Sequence, residues 1–161
     1  MKTPLTIGIL SDTHGFIHEE IVSIMNNCDL AIHAGDIIDA STLEQLKPKQ
    51  QLIAIQGNND AHLTQLKTVE KITLPGGIIM VDHGHTHGHK KPSHNSLRQA
   101  YPEARVIIYG HTHKQLVERH STPWIVNPGA AGQTRTHGGS KCLVLTIQSE
   151  QNWQVETHIF N

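Results

Sequence analysis

Five short clusters in this chain carry residue types that bind metals and move protons. They are Asp12-Thr13-His14-Gly15, Gly35-Asp36, Gly57-Asn58-Asn59-Asp60, His83-Gly84-His85 and Gly110-His111-Thr112-His113. Imidazole is the commonest side-chain metal ligand and the usual proton carrier near neutral pH. Four imidazoles (His14, His83, His111, His113), two carboxylates (Asp12, Asp36) and the Asn58 amide oxygen suit divalent ions such as manganese, iron or zinc. Seven donors are too many for one tetrahedral site, and they suit two ions sharing a carboxylate. Such a pair, roughly 3.5–4 Å apart, can hold an activated hydroxide and stabilise charge developing on a phosphoryl group.

Each cluster follows an apolar run that must position it. Leu5–Leu10, Leu30–Ala34, Leu52–Ile55, Ile78–Val81 and Arg105–Tyr109 read as buried strands, each ending at one of the clusters. Ligand sites in α/β sheets lie beyond the carboxyl ends of strands, so the five clusters can converge on one mouth. Ile17, Ile21, Ile24 and Met25 recur at helical spacing and predict a helix over the first strand. Ser41-Thr42-Leu43-Glu44 resembles a capping box opening a short helix, closed by Pro48. The first third therefore alternates strand and helix, which argues for parallel pairing with helices on the sheet.

The second half is richer in strands. Val69–Leu74 and Ile78–Val81 flank Pro75-Gly76-Gly77, a hairpin signal. Pro92–Tyr101 reads as helical, and Leu116-Val117, Trp124–Val126, Cys142–Ile147 and Trp153–Ile159 as short strands. A two-sheet α/β sandwich with helices outside is the economical architecture. No repeat or linker divides the chain, so one domain over residues 1–161 is expected.

Composition narrows the function classes. With 13 Lys and Arg against 14 Asp and Glu, the chain has no global field to gather nucleic acid or a membrane. An anionic substrate must be attracted locally. The apolar run before Ser11-Asp12 is too short for a signal peptide, and no stretch approaches the roughly 18 apolar residues of a membrane span. Cys28 and Cys142 lack CxxC spacing and read as small core residues rather than a disulfide. A cytoplasmic location is the expectation.

Taken in order, the five clusters resemble the calcineurin-like metallophosphoesterase superfamily, and the short chain resembles its small bacterial and archaeal phosphodiesterase branch. The resemblance spans residues 5 to 130. It implies a four-layer αββα sandwich with a dinuclear site at its rim. Carried over by position, Asp12, His14 and His113 would hold the first ion, Asp36 would bridge, and Asn58, His83 and His111 would complete the second. A bridging water or hydroxide would attack phosphorus in line with the leaving oxygen, on a small phosphorylated substrate. Manganese is the first expectation, with nickel, iron, zinc or magnesium as alternatives. A phosphomonoester substrate is the close variant.

One position departs from the pattern. Many superfamily members place a histidine after the metal-binding asparagine, and this chain has Asn59 there. An amide can donate a hydrogen bond but cannot serve as a proton-transfer acid. Activated aryl diesters are therefore expected to be favoured over poor leaving groups. His85 is the candidate replacement, and Asp60 is expected to orient Asn59 or a water.

The remaining histidines have plainer readings. His33 is expected to be a hydrogen-bonded core residue, and His87, His89 and His94 a solvated extension of the His83 loop. His18, His62, His120, His137 and His158 are expected on the surface. Lys90 and Lys91 are either a steering pair for an anion or an ordinary solvated face. Asn127-Pro128-Gly129-Ala130 is a turn that either shapes the mouth or is purely structural. Two other functions stand against the enzyme. One retromer subunit shares the implied fold but has a degenerate metal site and serves as a scaffold, whereas all seven positions here carry metal-competent side chains. The second is metal buffering by the His83–His94 loop. Pairing through an exposed β edge leaves a homo-oligomer open.

Overall fold

A computed structural model describes all residues, 1–161. In chain order the first strands are β1 (Leu5–Leu10), β2 (Leu30–His33) and β3 (Gln51–Ala54), with helix α1 (Glu19–Asn27) between the first two. Then come β4 (Val69–Leu74), β5 (Gly77–Asp82), helix α2 (His94–Ala100), β6 (Val106–Ile108), β7 (Leu116–Glu118), β8 (Trp124–Asn127), β9 (Ser140–Ser149) and β10 (Asn152–Phe160).

The strands form two five-stranded mixed sheets, ordered β10-β9-β1-β2-β3 and β4-β5-β6-β8-β7. In the first, β1, β2 and β3 are parallel, with Ile7 opposite Leu30 and Leu30 opposite Gln51. In the second, β5, β6 and β8 are parallel, with Ile79 opposite Val106 and Val106 opposite Trp124. Parallel strands bring their carboxyl ends to one rim, and that common rim is where the five clusters gather.

Side-chain alternation sets the layers. Ile7, Ile9 and Ile32 of the first sheet meet Ile79, Val81 and Ile108 of the second in the main core. The opposite face of the first sheet, through Leu10, Ala31 and Cys142, packs on Ile21 and Met25 of α1. Met80, Ile107 and Ile125 of the second sheet pack on Leu97 of α2. Helix, sheet, sheet and helix thus make the αββα sandwich. Each fully buried aliphatic side chain contributes roughly 1.5–3 kcal/mol. Cys28 and Cys142 are both buried and unpaired, and burial pushes the Cys142 thiol up to about 12.

Local boundaries differ from the expectation in three places. Helix α1 starts after Ile17, because His18 caps it: the ring Nδ1 accepts the Glu20 N–H at 3.1 Å. The short helix at Ala40–Gln45 is 3-10, and its cap is Asp39, which accepts the Ser41 N–H at 3.0 Å. The predicted capping box therefore does not form. Helix α2 begins only at His94, where the Ser93 hydroxyl caps it by accepting the Ser96 N–H at 3.1 Å. No helix is long and apolar enough to cross a membrane.

Candidate metal centre

The loops leaving the strands hold side chains at the rim by an unusual backbone. Asp12 (φ 54°), His14 (φ 47°), Asp36 (φ 61°), His111 (φ 71°) and His113 (φ 63°) all lie in the left-handed region. Outside glycine, Asn, Asp and His tolerate this region best, yet each instance costs of order 1–3 kcal/mol and needs support from its surroundings. At the Asp36 turn, Asp60 supplies that support. Its buried carboxylate accepts the backbone N–H groups of Asp36 (2.7 Å), Ile37 (3.0 Å), Ile38 (2.8 Å) and Gly57 (2.8 Å). This corrects the expectation that Asp60 orients Asn59 or a water, since its oxygens are already occupied by backbone donors. Gly57 must be glycine: a Cβ there would lie 2.2 Å from Asp36 Oδ1.

The two carboxylates face inward. Asp12 Oδ2 accepts from the Ser11 hydroxyl at 2.7 Å and the His111 N–H at 3.1 Å. Asp12 Oδ1 is buried without a hydrogen-bond partner, 3.5 Å from His113 Nε2 and 3.8 Å from His83 Nε2. Asp36 Oδ1 lies 3.5 Å from His83 Nε2, and Asp36 Oδ2 lies 3.6 Å from His14 Nε2. Asn59 donates to the same carboxylate through its N–H (3.2 Å) and its amide (3.0 Å). Asn59 therefore positions Asp36 in this arrangement instead of aiming its donor at a substrate.

Three imidazoles are oriented by backbone carbonyls. A carbonyl only accepts, so the ring nitrogen facing it carries the proton, and in the neutral ring the other nitrogen keeps its lone pair. His83 Nδ1 donates to Ala34 O at 2.8 Å and His113 Nδ1 donates to Thr134 O at 2.7 Å. His111 Nε2 donates to His89 O. The freed nitrogens are Nε2 of His83, Nε2 of His113 and Nδ1 of His111. His83 Nε2 is buried without a hydrogen-bond partner, like Asp12 Oδ1 beside it. The His14 and His113 Nε2 atoms oppose each other at 3.3 Å.

Titration shifts follow burial first. Burial raises Asp12 to about 7, against the opposing field of His83. Burial also acts to raise Asp36, but its contacts with His83 and Asn59 prevail and hold it below the usual carboxylate range. Burial lowers His113 to about 4 and also lowers His14, His85 and His111, so these rings are neutral near pH 7. His83 is the exception. Burial opposes its charge, but Asp36 and Asp12 outweigh that and raise it.

Two sets of ligand atoms lie within 4.8 Å of one another: Asp12 with His14 and His113, and Asp12 with Asp36 and His83. Buried, partnerless acceptors converging from separate strands are what a divalent cation would complete, so the donor set fits one. Asp12 is common to both sets, whereas Asp36 turns one oxygen to each side. His111 stands just outside, with its ring centroid 5.3 Å from that of His83, and Asn58 is exposed on the loop between Gly57 and Asn59. His85 flanks the centre, 5.5 Å from His83 by ring centroids, and its buried Nδ1 also lacks a partner.

A family model described as the calcineurin-like phosphoesterase superfamily domain matches residues 5–150. The chain belongs to this superfamily. A probable metallophosphoesterase of Bacillus subtilis, YsnB, is 30% identical over 151 residues, covering 91% of this chain and 86% of the relative. A phosphodiesterase of Methanocaldococcus jannaschii is 28% identical over 143 residues, covering 78% and 83%. Among solved structures, vacuolar protein sorting 29 of Cryptosporidium parvum superposes with a TM-score of 0.80 at 14% identity, over 99% of this chain and all of that one. That likeness shows the sandwich alone.

The histidines of the 83–94 loop are less solvated than expected. His87 engages Asp82 Oδ2 through Nε2 (3.2 Å) and the Ser96 hydroxyl through Nδ1 (2.7 Å). His94 engages Glu118 through Nδ1 (2.6 Å) and the Tyr109 hydroxyl through Nε2 (3.1 Å). Only His89 is exposed, and its carbonyl serves His111. His33 is the buried hydrogen-bonded residue expected. Its Nδ1 accepts the Gly35 N–H at 3.1 Å, its Nε2 reaches Thr13 Oγ1 at 3.0 Å, and burial lowers it to about 3. Asn127 shapes the mouth by donating to Gly110 O and Thr112 Oγ1, each at 3.0 Å.

Four contributors were missed by sequence reasoning. Ala34, His89 and Thr134 act through carbonyls, which carry no sequence signature. Arg135 is exposed and its charge lowers His14 and His113, yet it belongs to no recognisable spacing.

Proposed function

We propose that this protein hydrolyses a phosphodiester with the help of two divalent ions. Asp12, His14 and His113 would hold one, Asn58, His83 and His111 the other, and Asp36 would lie between them. The observation that carries this reading is the double aim of Asp36, Oδ1 toward His83 and Oδ2 toward His14, beside the partnerless Asp12 Oδ1 and His83 Nε2. When bound, such ions supply a nucleophile at neutral pH and neutralise charge on the phosphate oxygens. Manganese is the first choice, because the donor set mixes oxygen and nitrogen.

The chain's own residues hold and orient. Neutral His14, His111 and His113 present lone pairs near pH 7, and Asn59 and Asp60 fix the Asp36 turn. With Asn59 committed to Asp36, His85 is the remaining side chain suited to exchange a proton with a leaving group. Burial lowers its pKa, which makes it a poor acid at neutral pH and favours substrates whose leaving group needs no proton. The relative named as a phosphodiesterase supports the diester over the monoester. Metal buffering by the His83–His94 loop is disfavoured, since both ring nitrogens of His87 and of His94 are engaged.

The test is to strip the full chain with a chelator, restore manganese, and compare bis-p-nitrophenyl phosphate with p-nitrophenyl phosphate. Manganese-dependent diester cleavage, reduced at least ~100-fold by Asp36→Asn, is the expected result. Faster cleavage of the monoester would move the reading to a phosphomonoesterase. Absence of both tight metal binding and hydrolysis would remove the enzyme and leave a scaffold on the same fold.

A further inference from the structure

A cleft of about 820 Å³ opens beside the metal centre and shares His111 and Arg135 with its surroundings. Its charged wall comes from three separate segments. Lys90 and Lys91 follow the His83 loop, Lys114 follows His113, and Arg135 projects from the loop after β8. No aspartate or glutamate lines the cleft, and none of these four cations is in an ion pair. The chain as a whole has a net charge of −1, so this concentration of positive charge is local.

Exposed lysines scattered over a surface need no explanation, but unpaired cations converging on one concavity repel one another. A concave wall of one sign also focuses its field on whatever enters. The loop carrying Arg135 is moreover anchored from beneath. Buried Lys141 donates its ammonium to the carbonyls of Thr136, His137 (3.0 Å) and Gly139 (3.0 Å). Tyr109 and Leu116 supply the apolar part of the wall, and the volume suits a ligand of nucleotide size.

We propose that this cleft is a subsite for a second anionic group on the substrate, so that the preferred substrates are phosphodiesters bearing an additional phosphate about one nucleoside away from the scissile bond. The proposal rests on the phosphodiesterase reading and narrows it. Lys90, Lys91 and Lys114 bind the distal phosphate, and Arg135 sits between that phosphate and the scissile one.

The experiment compares two chromogenic diesters on the manganese-loaded full chain: thymidine 5′-(p-nitrophenyl phosphate) with and without a 3′-phosphate. In parallel, calorimetry measures binding of thymidine 3′,5′-bisphosphate, with and without a Lys90→Gln/Lys91→Gln/Lys114→Gln triple substitution. The 3′-phosphate is expected to raise kcat/KM roughly tenfold or more, as one well-made charge-assisted contact would. The triple variant should bring that ratio close to one and weaken bisphosphate binding by a similar factor. Rising salt should erode the wild-type ratio. Equal cleavage of the two diesters by the wild type, or a ratio untouched in the variant, would overturn the subsite and leave the diesterase standing. If neither diester is cleaved but the bisphosphate binds and the variant loses it, the subsite stands and the diesterase reading falls. Neither cleavage nor lysine-dependent binding would overturn both.

Discussion

Both carboxylates of the proposed centre, Asp12 and Asp36, come from the rim of the first sheet, while three of its four imidazoles come from the second. The two rims are held differently. On the first, the strained turns are fixed by hydrogen bonds within the rim, above all from four backbone N–H groups to Asp60. On the second, each imidazole is oriented by a carbonyl from a distant segment: Ala34 for His83, His89 for His111, Thr134 for His113. Apart from the His111 N–H that reaches Asp12, the carboxylate rim is thus self-supporting, whereas the imidazole rim depends on loops that are themselves tied down elsewhere. Damage to the first should unfold its turns, and damage to the second should loosen one proposed ligand at a time.

The largest break expected is Asp60→Ala. It leaves four buried or half-buried backbone donors without an acceptor, and should cost roughly 4 kcal/mol in urea unfolding together with manganese uptake. A loss below about 1 kcal/mol would mean the rim is not self-supporting. On the imidazole side, Asp82 gathers the Tyr101 hydroxyl (2.6 Å), His87 (3.2 Å) and the Gly84 N–H (2.9 Å) around the loop after His83. Asp82→Ala should cost about 2 kcal/mol and leave the carboxylate rim able to take up one ion, which metal titration would reveal.

His33 joins the Asp12 and Asp36 turns from below, and pH tests it. Its pKa is about 3 in the folded chain against 6.5 unfolded, so below pH 6.5 the unfolded state binds the extra proton. Stability should therefore fall as pH drops from 6.5 toward 3, by up to about 1.4 kcal/mol per pH unit from this residue. Chelated wild type and His33→Gln, compared by urea midpoints across that range, should differ in slope; parallel slopes would remove His33 as the cause. The smallest effect is Ser93→Ala, which deletes the α2 cap behind the imidazole rim. A loss of about 1 kcal/mol without any change at the carboxylates would mark the two rims as separable.

Much of this was legible from the chain because strand ends are legible. Apolar runs such as Leu5–Leu10 and Ile78–Val81 predict where a strand stops, and polar clusters after them predict a shared rim. The αββα layering likewise follows from Ile7 and Ile9 facing one way and Leu10 the other. What local pattern could not reveal is partnership across long separations. His94 reads as a solvated loop residue until Glu118 and Tyr109 arrive from β7 and the end of β6. Asp60 resembles any carboxylate beside a ligand until the Asp36 turn folds over it. Arg135 and Lys114 fall in none of the sequence clusters, and only the cleft brings them together with Lys90 and Lys91.

The left-handed backbone at five of the proposed ligands has a consequence for redesign. A metal site is commonly retuned by exchanging donors, thiolate for imidazole or glutamate for aspartate. Here the main chain filters such exchanges before coordination is considered, because few side chains other than aspartate, asparagine and histidine tolerate these dihedral angles. The palette of donors and the shape of the turns are therefore chosen together. A laboratory seeking a different metal preference would do better to alter the carbonyls and carboxylates that aim the rings than to replace the ligands themselves.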